Sequence, residues 1–258
     1  MASFKTDDSF LEKISIGAIG TQQVFSILRQ LGHQPIELER GSMNYKIWKK
    51  IKIKRIRVPD ILCVDNGIRI ESRAKTNLEI SMSHSLNDPR RAWDYGMRDD
   101  DYVTITFFDQ NDQKPLEICQ ISPVHFIKLS DLRVAFQNRQ IVTSKRKGFE
   151  EGSEVRVIWE CASSNKDSII ESVDANKIIL TPVDNSRRQS IKLSRKNGGI
   201  VLIPQISTND RVLKNQIVAS VVPIKLSIDV PDKVDEAYYI NRLSNNNLSE
   251  RYAAAKAL

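Results

Sequence analysis

Apolar residues in the first thirty positions recur at helical spacing: Phe10, Leu11 and Ile14, then Val24, Phe25, Ile27, Leu28 and Leu31. Asp7 and Asp8 can cap such a helix, Gly17 and Gly20 weaken its middle, and Gly32 ends it, so its firm part is 21–31. Residues 35–39 read as extended. From 44 to 58, Ile51, Ile53 and Ile56 alternate with lysines and arginines, a strand pattern. Two apolar runs, 61–64 and 68–70, flank Asp65-Asn66-Gly67, and Asn-Gly is the strongest short-range signal for a tight hairpin. Asp88-Pro89 then opens a short helix whose apolar stripe is Ala92, Trp93 and Met97. Residues 102–108 form a buried strand. The predicted order is helix, strand, strand, strand, helix, strand.

Beyond that point the texture changes. Residues 116–121 read as a strand and 122–127 as the start of a short helix. A basic linker, Lys145-Arg146-Lys147-Gly148, leads into strands at 154–160, 168–173, 177–182, 189–193, 199–203 and 216–223. Turn signals at short intervals between them predict a small β-barrel or sandwich. The tail from Asp232 is helical, and its last segment, 248–258, is too short to be stable without packing on something. The resulting division is 1–125, an α/β domain; 126–228, a β-rich barrel-like domain; and 229–258, a helical tail.

Composition narrows the class. In 258 residues, 40% are hydrophobic and 28% charged, which supports a folded core and excludes bulk disorder. No apolar run approaches the roughly 20 residues that span a bilayer, and the first residues lack a secretory pattern, so a soluble cytoplasmic protein is expected. Cys63, Cys119 and Cys161 are far apart and form no CxxC, and the histidines are only His33, His84 and His125. Packing thiols in a reducing compartment are the expectation, not a zinc site. The formal charge of +7 makes an anionic partner plausible.

Chemistry concentrates at 58–75. Asp60 begins one hairpin arm and Glu71 lies near the end of the other, so a register set by Asn66-Gly67 brings them almost opposite. Cross-strand neighbours approach to about 5 Å between Cβ atoms. Two carboxylates so placed repel unless a cation lies between them, and Mg²⁺, a hard ion taking carboxylate, water and phosphate oxygens, meets that need. The period of two puts Arg73 and Lys75 on the face of Glu71, where a cation can stabilise developing negative charge. These are the parts of metal-assisted phosphodiester hydrolysis.

With Pro59-Asp60 followed by Glu71-Ser72-Arg73 inside an αβββαβ order, residues 8–110 resemble the PD-(D/E)xK, restriction-endonuclease-like, nuclease superfamily. The resemblance implies that Asp60 and Glu71 bind Mg²⁺ or Mn²⁺ and that the substrate is a nucleic acid, DNA ahead of RNA. Two departures stand out. The family's lysine two residues after the acid is Arg73, which holds charge but cannot act as a base; Lys75 offers an ammonium instead. Where the family often has an acid on the first helix, this chain offers Gln22 and Gln23. A copy that has kept the fold and lost catalysis, binding nucleic acid or scaffolding a complex, is the alternative.

Seven basic residues fall between 46 and 57, with Tyr45 and Trp48 interleaved. Lys49, Lys50, Lys52, Lys54, Arg55 and Arg57, immediately before Asp60, are the expected phosphate contacts, though lysines also protect edge strands, and the same run permits nuclear import. Asp99-Asp100-Asp101 reads as a solvated helix end. Arg90, Arg91 and Arg98 are divided between backbone phosphates and partners such as Asp94 or Asp99. The β-rich part or the 248–258 helix is a possible protein-docking element.

Overall fold

Helix α1, Asp7–Gln30, runs unbroken through both internal glycines. Gly20 lies close against the sheet: a Cβ there would stand 2.7 Å from that of Ala74. The helix ends as Gly32 predicts. Gly32 takes φ +88°, its N–H donates to Arg29 O at 3.0 Å, and His33 N donates to Leu28 O at 2.9 Å. This pair of bonds is a Schellman motif, and it fixes where His33 leaves the helix. The computed structural model describes residues 7–38, 58–110, 118–120, 122–145, 154–194, 200–228 and 232–258. The expected strand at 44–58 lies outside them except for Val58, which is buried.

The hairpin forms as expected. Strand β2, Ile61–Cys63, pairs antiparallel with β3, Arg69–Lys75, in the register Ile61↔Ile70 and Leu62↔Arg69. Gly67 closes the loop at φ +74° and donates to Cys63 O, and Asn66 Oδ1 accepts from Ile68 N. Strand β1, Pro35–Glu37, flanks β2. On its other side β3 runs parallel to β5, Tyr102–Gln110, which also pairs with β6, Ile118–Gln120, and β7, His125–Lys128.

A parallel pair needs a long crossover, and 76–101 provides it without the predicted helix. It carries β4, Ile80–Ser85, and one 3₁₀ turn, Pro89–Arg91. The local signals were sound, since Asp88 caps Arg90 N and Pro89 starts the turn. Gly96 at φ +81° departs from helical geometry, while Trp93 and Met97 are buried by tertiary contacts. Likewise 122–127 starts no helix: His125, Phe126 and Ile127 are strand residues on β5, and the helix, α2, follows at Leu129–Gln137.

The later strands form open sheets, with no closed barrel among the described residues. Strand β9, Glu154–Trp159, is taken by β4 on one side and by β8, Val142–Lys145, on the other. Cys161–Ser163 (β10), Ile203–Pro204 (β14) and Ile217–Ser220 (β16) make a three-stranded sheet. Ser168–Val173 (β11), Lys177–Pro182 (β12), Gln189–Lys192 (β13) and Arg211–Val212 (β15) make a four-stranded one. One apolar core joins them to the first sheet, running from Val103, Ile105 and Phe107 through Trp93 and Trp159 to Ile178 and Val218. The fold is thus mixed α/β with several sheets. Among the described residues no helix is long and apolar enough to cross a membrane.

The tail is helical as predicted: α3, Glu236–Arg242, and α4, Leu248–Ala257. Its stability comes from docking. Ala253, Ala254 and Tyr239 bury against Leu38, Val58 and Leu62, and Tyr239 and Tyr252 donate their hydroxyls to Val64 O and Leu38 O.

Candidate functional site on the β2–β3 hairpin

The register Ile61↔Ile70, continued by one residue, puts Asp60 opposite Glu71. The pairing is continued there by a side chain: Asp60 Oδ2 accepts from Ser72 N at 2.7 Å. The Asp60 carbonyl accepts from Leu38 N at 2.8 Å, so the residue is held from both neighbouring strands. Val58 and Pro59, which lead into it, are buried.

Alternation along β3 divides its residues. Ile70 packs in the cluster of Val24, Phe25 and Leu28, and Ala74 meets Gly20, so the even positions face α1. Glu71, Arg73 and Lys75 take the other face, as the period of two predicts. Glu71 is 8% exposed and is ion-paired with Arg73. Lys75 Nζ donates to Ser81 Oγ at 3.2 Å, Ser81 donates to Glu79 at 2.8 Å, and Arg156 pairs with the same Glu79 oxygen at 2.9 Å. A chain of alternating polar groups therefore links β3 to β4 and β9.

Asp60 and Glu71 both carry hard carboxylate oxygens, with Asp60 Oδ2 taken by Ser72 N and Glu71 by Arg73. Helix α1 covers the opposite face of β3 from Glu71; Gln22 on it is exposed and Gln23 half-buried. Lys49, Lys50, Lys52, Lys54, Arg55 and Arg57 lie outside the described residues.

Next to this face, Arg69 points into a buried polar network. Its guanidinium makes a forked pair with Asp101, at 3.0 and 2.5 Å, and donates to Ser249 Oγ at 2.9 Å. Arg98 joins Asp101 and Glu250, with its Nη2 on Gly67 O at 2.9 Å. Burial penalises the Arg98 charge, yet Asp101, Glu250 and Asp100 outweigh that and hold its pKa above the ordinary value. Asp101 is therefore no solvated helix end: it is fully buried and anchors the tail to the hairpin. Arg91 pairs with Glu154 and Arg90 with Asp88, while Asp94 and Asp99 are taken by Arg133. The spacing of Arg69, Asp101 and Glu250 along the chain gave no sign of this.

At the tip of the hairpin is a second polar group. His33 from the end of α1, Cys63 from β2 and Asp65 from the loop each present a potential ligand atom, all within 4.8 Å of one another. Burial, reinforced by Asp65, pushes the Cys63 thiol up to about 12. Asn66 Nδ2 lies 2.8 Å from His33 Nδ1 and 3.0 Å from Asp65 Oδ2. Expecting only a packing thiol at Cys63 missed this grouping, because His33 and Cys63 are thirty residues apart with no spacing motif between them.

His125 is a core histidine. It is fully buried, Nε2 accepts from Ile217 N at 2.9 Å, and Nδ1 lies 3.2 Å from Ile105 O, so the proton sits on Nδ1. Burial lowers its pKa to about 4, against the opposing pull of the Ile105 carbonyl.

Compared with known protein families and with curated proteins, the chain matches no family model and no protein.

Proposed function

We propose that the chain is a divalent-metal-dependent endonuclease that hydrolyses phosphodiester bonds of DNA, built on a restriction-endonuclease-like core in which β4 and a 3₁₀ turn stand where the second helix of the αβββαβ order was expected. The observation that carries the reading is the Asp60 Oδ2 to Ser72 N hydrogen bond at 2.7 Å, which fixes a carboxylate beside the backbone of Glu71 on the opposite strand. The parallel β3–β5 pair reached by a crossover is in keeping with that core.

In this reading Asp60 and Glu71 hold Mg²⁺ or Mn²⁺. When bound, the ion supplies Lewis-acid charge at the scissile phosphate and a more acidic water. Lys75, steadied by Ser81, and Arg73 place positive charge on the same face, where it stabilises the negative charge that develops on the phosphate. Arg73 keeps its proton, so it contributes charge and position and takes no part as a base. The basic run 46–57 leads straight into Asp60 and would grip the backbone through phosphate contacts.

One observation favours a second reading. Arg73 neutralises Glu71 through a direct ion pair, an arrangement suited to a subunit that keeps the fold and binds nucleic acid without cutting it. Supercoiled plasmid incubated with Mg²⁺ or Mn²⁺ separates the two. Cleavage by the wild type that disappears in Asp60→Asn and Glu71→Gln supports the enzyme. Salt-sensitive DNA binding without cleavage supports the silent subunit.

A further inference from the structure

The hairpin tip carries a grouping that the carboxylate site does not use. A Schellman turn delivers His33, the end of β2 delivers Cys63, and the loop 64–68 delivers Asp65. These are three different donor types from two elements that meet only in the folded chain. The His33 side chain is wholly buried, that of Asp65 is 7% exposed, and Cys63 is fully buried.

The tautomer of His33 follows from its neighbour. Asn66 Oδ1 accepts from Ile68 N, so the Asn66 amide turns its NH₂ toward His33 Nδ1. Nδ1 therefore presents a lone pair, the state in which imidazole binds a metal. The other ring nitrogen, Nε2, is buried with no hydrogen-bond partner among the described residues. His125, by contrast, satisfies both of its ring nitrogens. His33 keeps a half-satisfied ring in the interior: Nε2 has no partner among the described residues, and the Nδ1 lone pair, held by the Asn66 amide, lies 3.5 Å from Asp65 Oδ2.

The geometry points to a transition-metal site at His33, Cys63 and Asp65, of the class that takes Zn²⁺, with a fourth position left for water or an exogenous ligand. His33 Nδ1 and Asp65 Oδ2 are 3.5 Å apart. Tetrahedral zinc, with bonds of roughly 2.0–2.3 Å, holds its ligand atoms about 3.3–3.7 Å apart. The observed spread, at most 4.8 Å, would have to narrow by about 1 Å on binding to reach that. The thiolate and imidazole select a borderline or soft ion over Mg²⁺. As the metal–sulfur bond forms, the Cys63 S–H bond breaks and its proton leaves to solvent; the metal keeps its oxidation state and displaces the Asn66 amide from Nδ1. The site is distinct from the Asp60–Glu71 pair. Cys63 lies three residues along the strand from Asp60, about 10 Å at the strand rise.

Co²⁺ is the probe, titrated into the full chain after removal of metals by chelator. The expected result is a thiolate-to-cobalt charge-transfer band with tetrahedral d–d absorption, saturating at one equivalent and abolished by Zn²⁺. Cys63→Ala should lose the charge-transfer band, and Asp65→Asn, which keeps the side chain's size, should weaken binding by at least about tenfold. Glu71→Gln should leave the titration unchanged, so failure of the nuclease reading and failure of this one remain separate results. The site is refuted if the folded wild type gives no thiolate band at saturating Co²⁺. It is equally refuted if the band persists in Cys63→Ala or Asp65→Asn binds as the wild type does.

Discussion

His125 should make this protein lose stability in mild acid by a predictable amount. The ring is neutral in the fold, accepts from Ile217 N and faces Ile105 O, joining β5 and β7 to β16. Protonation at Nε2 would set a charge against a backbone N–H in the core. Above pH 6.5 the ring is neutral both folded and unfolded, and it adds no pH dependence. Between 6.5 and the folded value of about 4, the unfolded chain binds a proton that the folded chain refuses. Stability therefore falls as pH drops through this window, and the loss levels off below 4. At about 1.4 kcal/mol per pH unit, the full loss is about 3 kcal/mol, of which about 2.5 kcal/mol is reached by pH 4.5. Urea unfolding of the wild type and of His125→Gln at pH 7.5 and 4.5 isolates this contribution, because titrating carboxylates are common to both. The wild type should lose about 2.5 kcal/mol more than the variant. Equal losses in the two proteins would refute the assignment of a neutral, doubly bonded His125.

Other perturbations follow from the same contacts. Arg69→Met leaves Asp101 and Glu250 buried with less compensation and should cost about 3–5 kcal/mol in chemical denaturation. A loss under 1 kcal/mol would mean that the network does not anchor the tail. The two helix glycines should respond in opposite directions. Gly17→Ala, with nothing within 4 Å of the new Cβ, should stabilise by about 0.5–1 kcal/mol, and Gly20→Ala, which runs into Ala74, should destabilise by about 1–3 kcal/mol. Thermal melts of both variants check this, and stabilisation by Gly20→Ala would contradict the close approach of α1 to β3.

The parts of the fold legible from sequence are those fixed locally. Gly32 ends α1 because a left-handed residue is needed there, and Gly67 closes the hairpin for the same reason, which sets the Asp60–Glu71 register. Strands at 168–173 and 177–182 were fixed by alternation and a turn. Where tertiary contacts decided, local signals misled. Asp88-Pro89 began a turn that Gly96 kept from becoming a helix, and 122–127 became a strand because β5 offered an edge. The expected barrel failed for a related reason: β4, lying in the crossover, recruits β9 into a sheet of its own. The Arg69–Asp101–Glu250 network and the His33–Cys63–Asp65 grouping join residues far apart in sequence. Nothing in spacing or periodicity encodes such meetings.

The central claim is that Asp60 and Glu71 hold a divalent ion for phosphodiester cleavage. Plasmid nicking by purified wild type and Glu71→Gln, with Mg²⁺ or Mn²⁺ and with chelator, tests it most directly. The account predicts metal-dependent nicking by the wild type, lowered by about 10²-fold or more in the variant, in which a neutral amide replaces the metal-binding carboxylate. Identical behaviour of the two proteins, or nicking that survives the chelator, would contradict it.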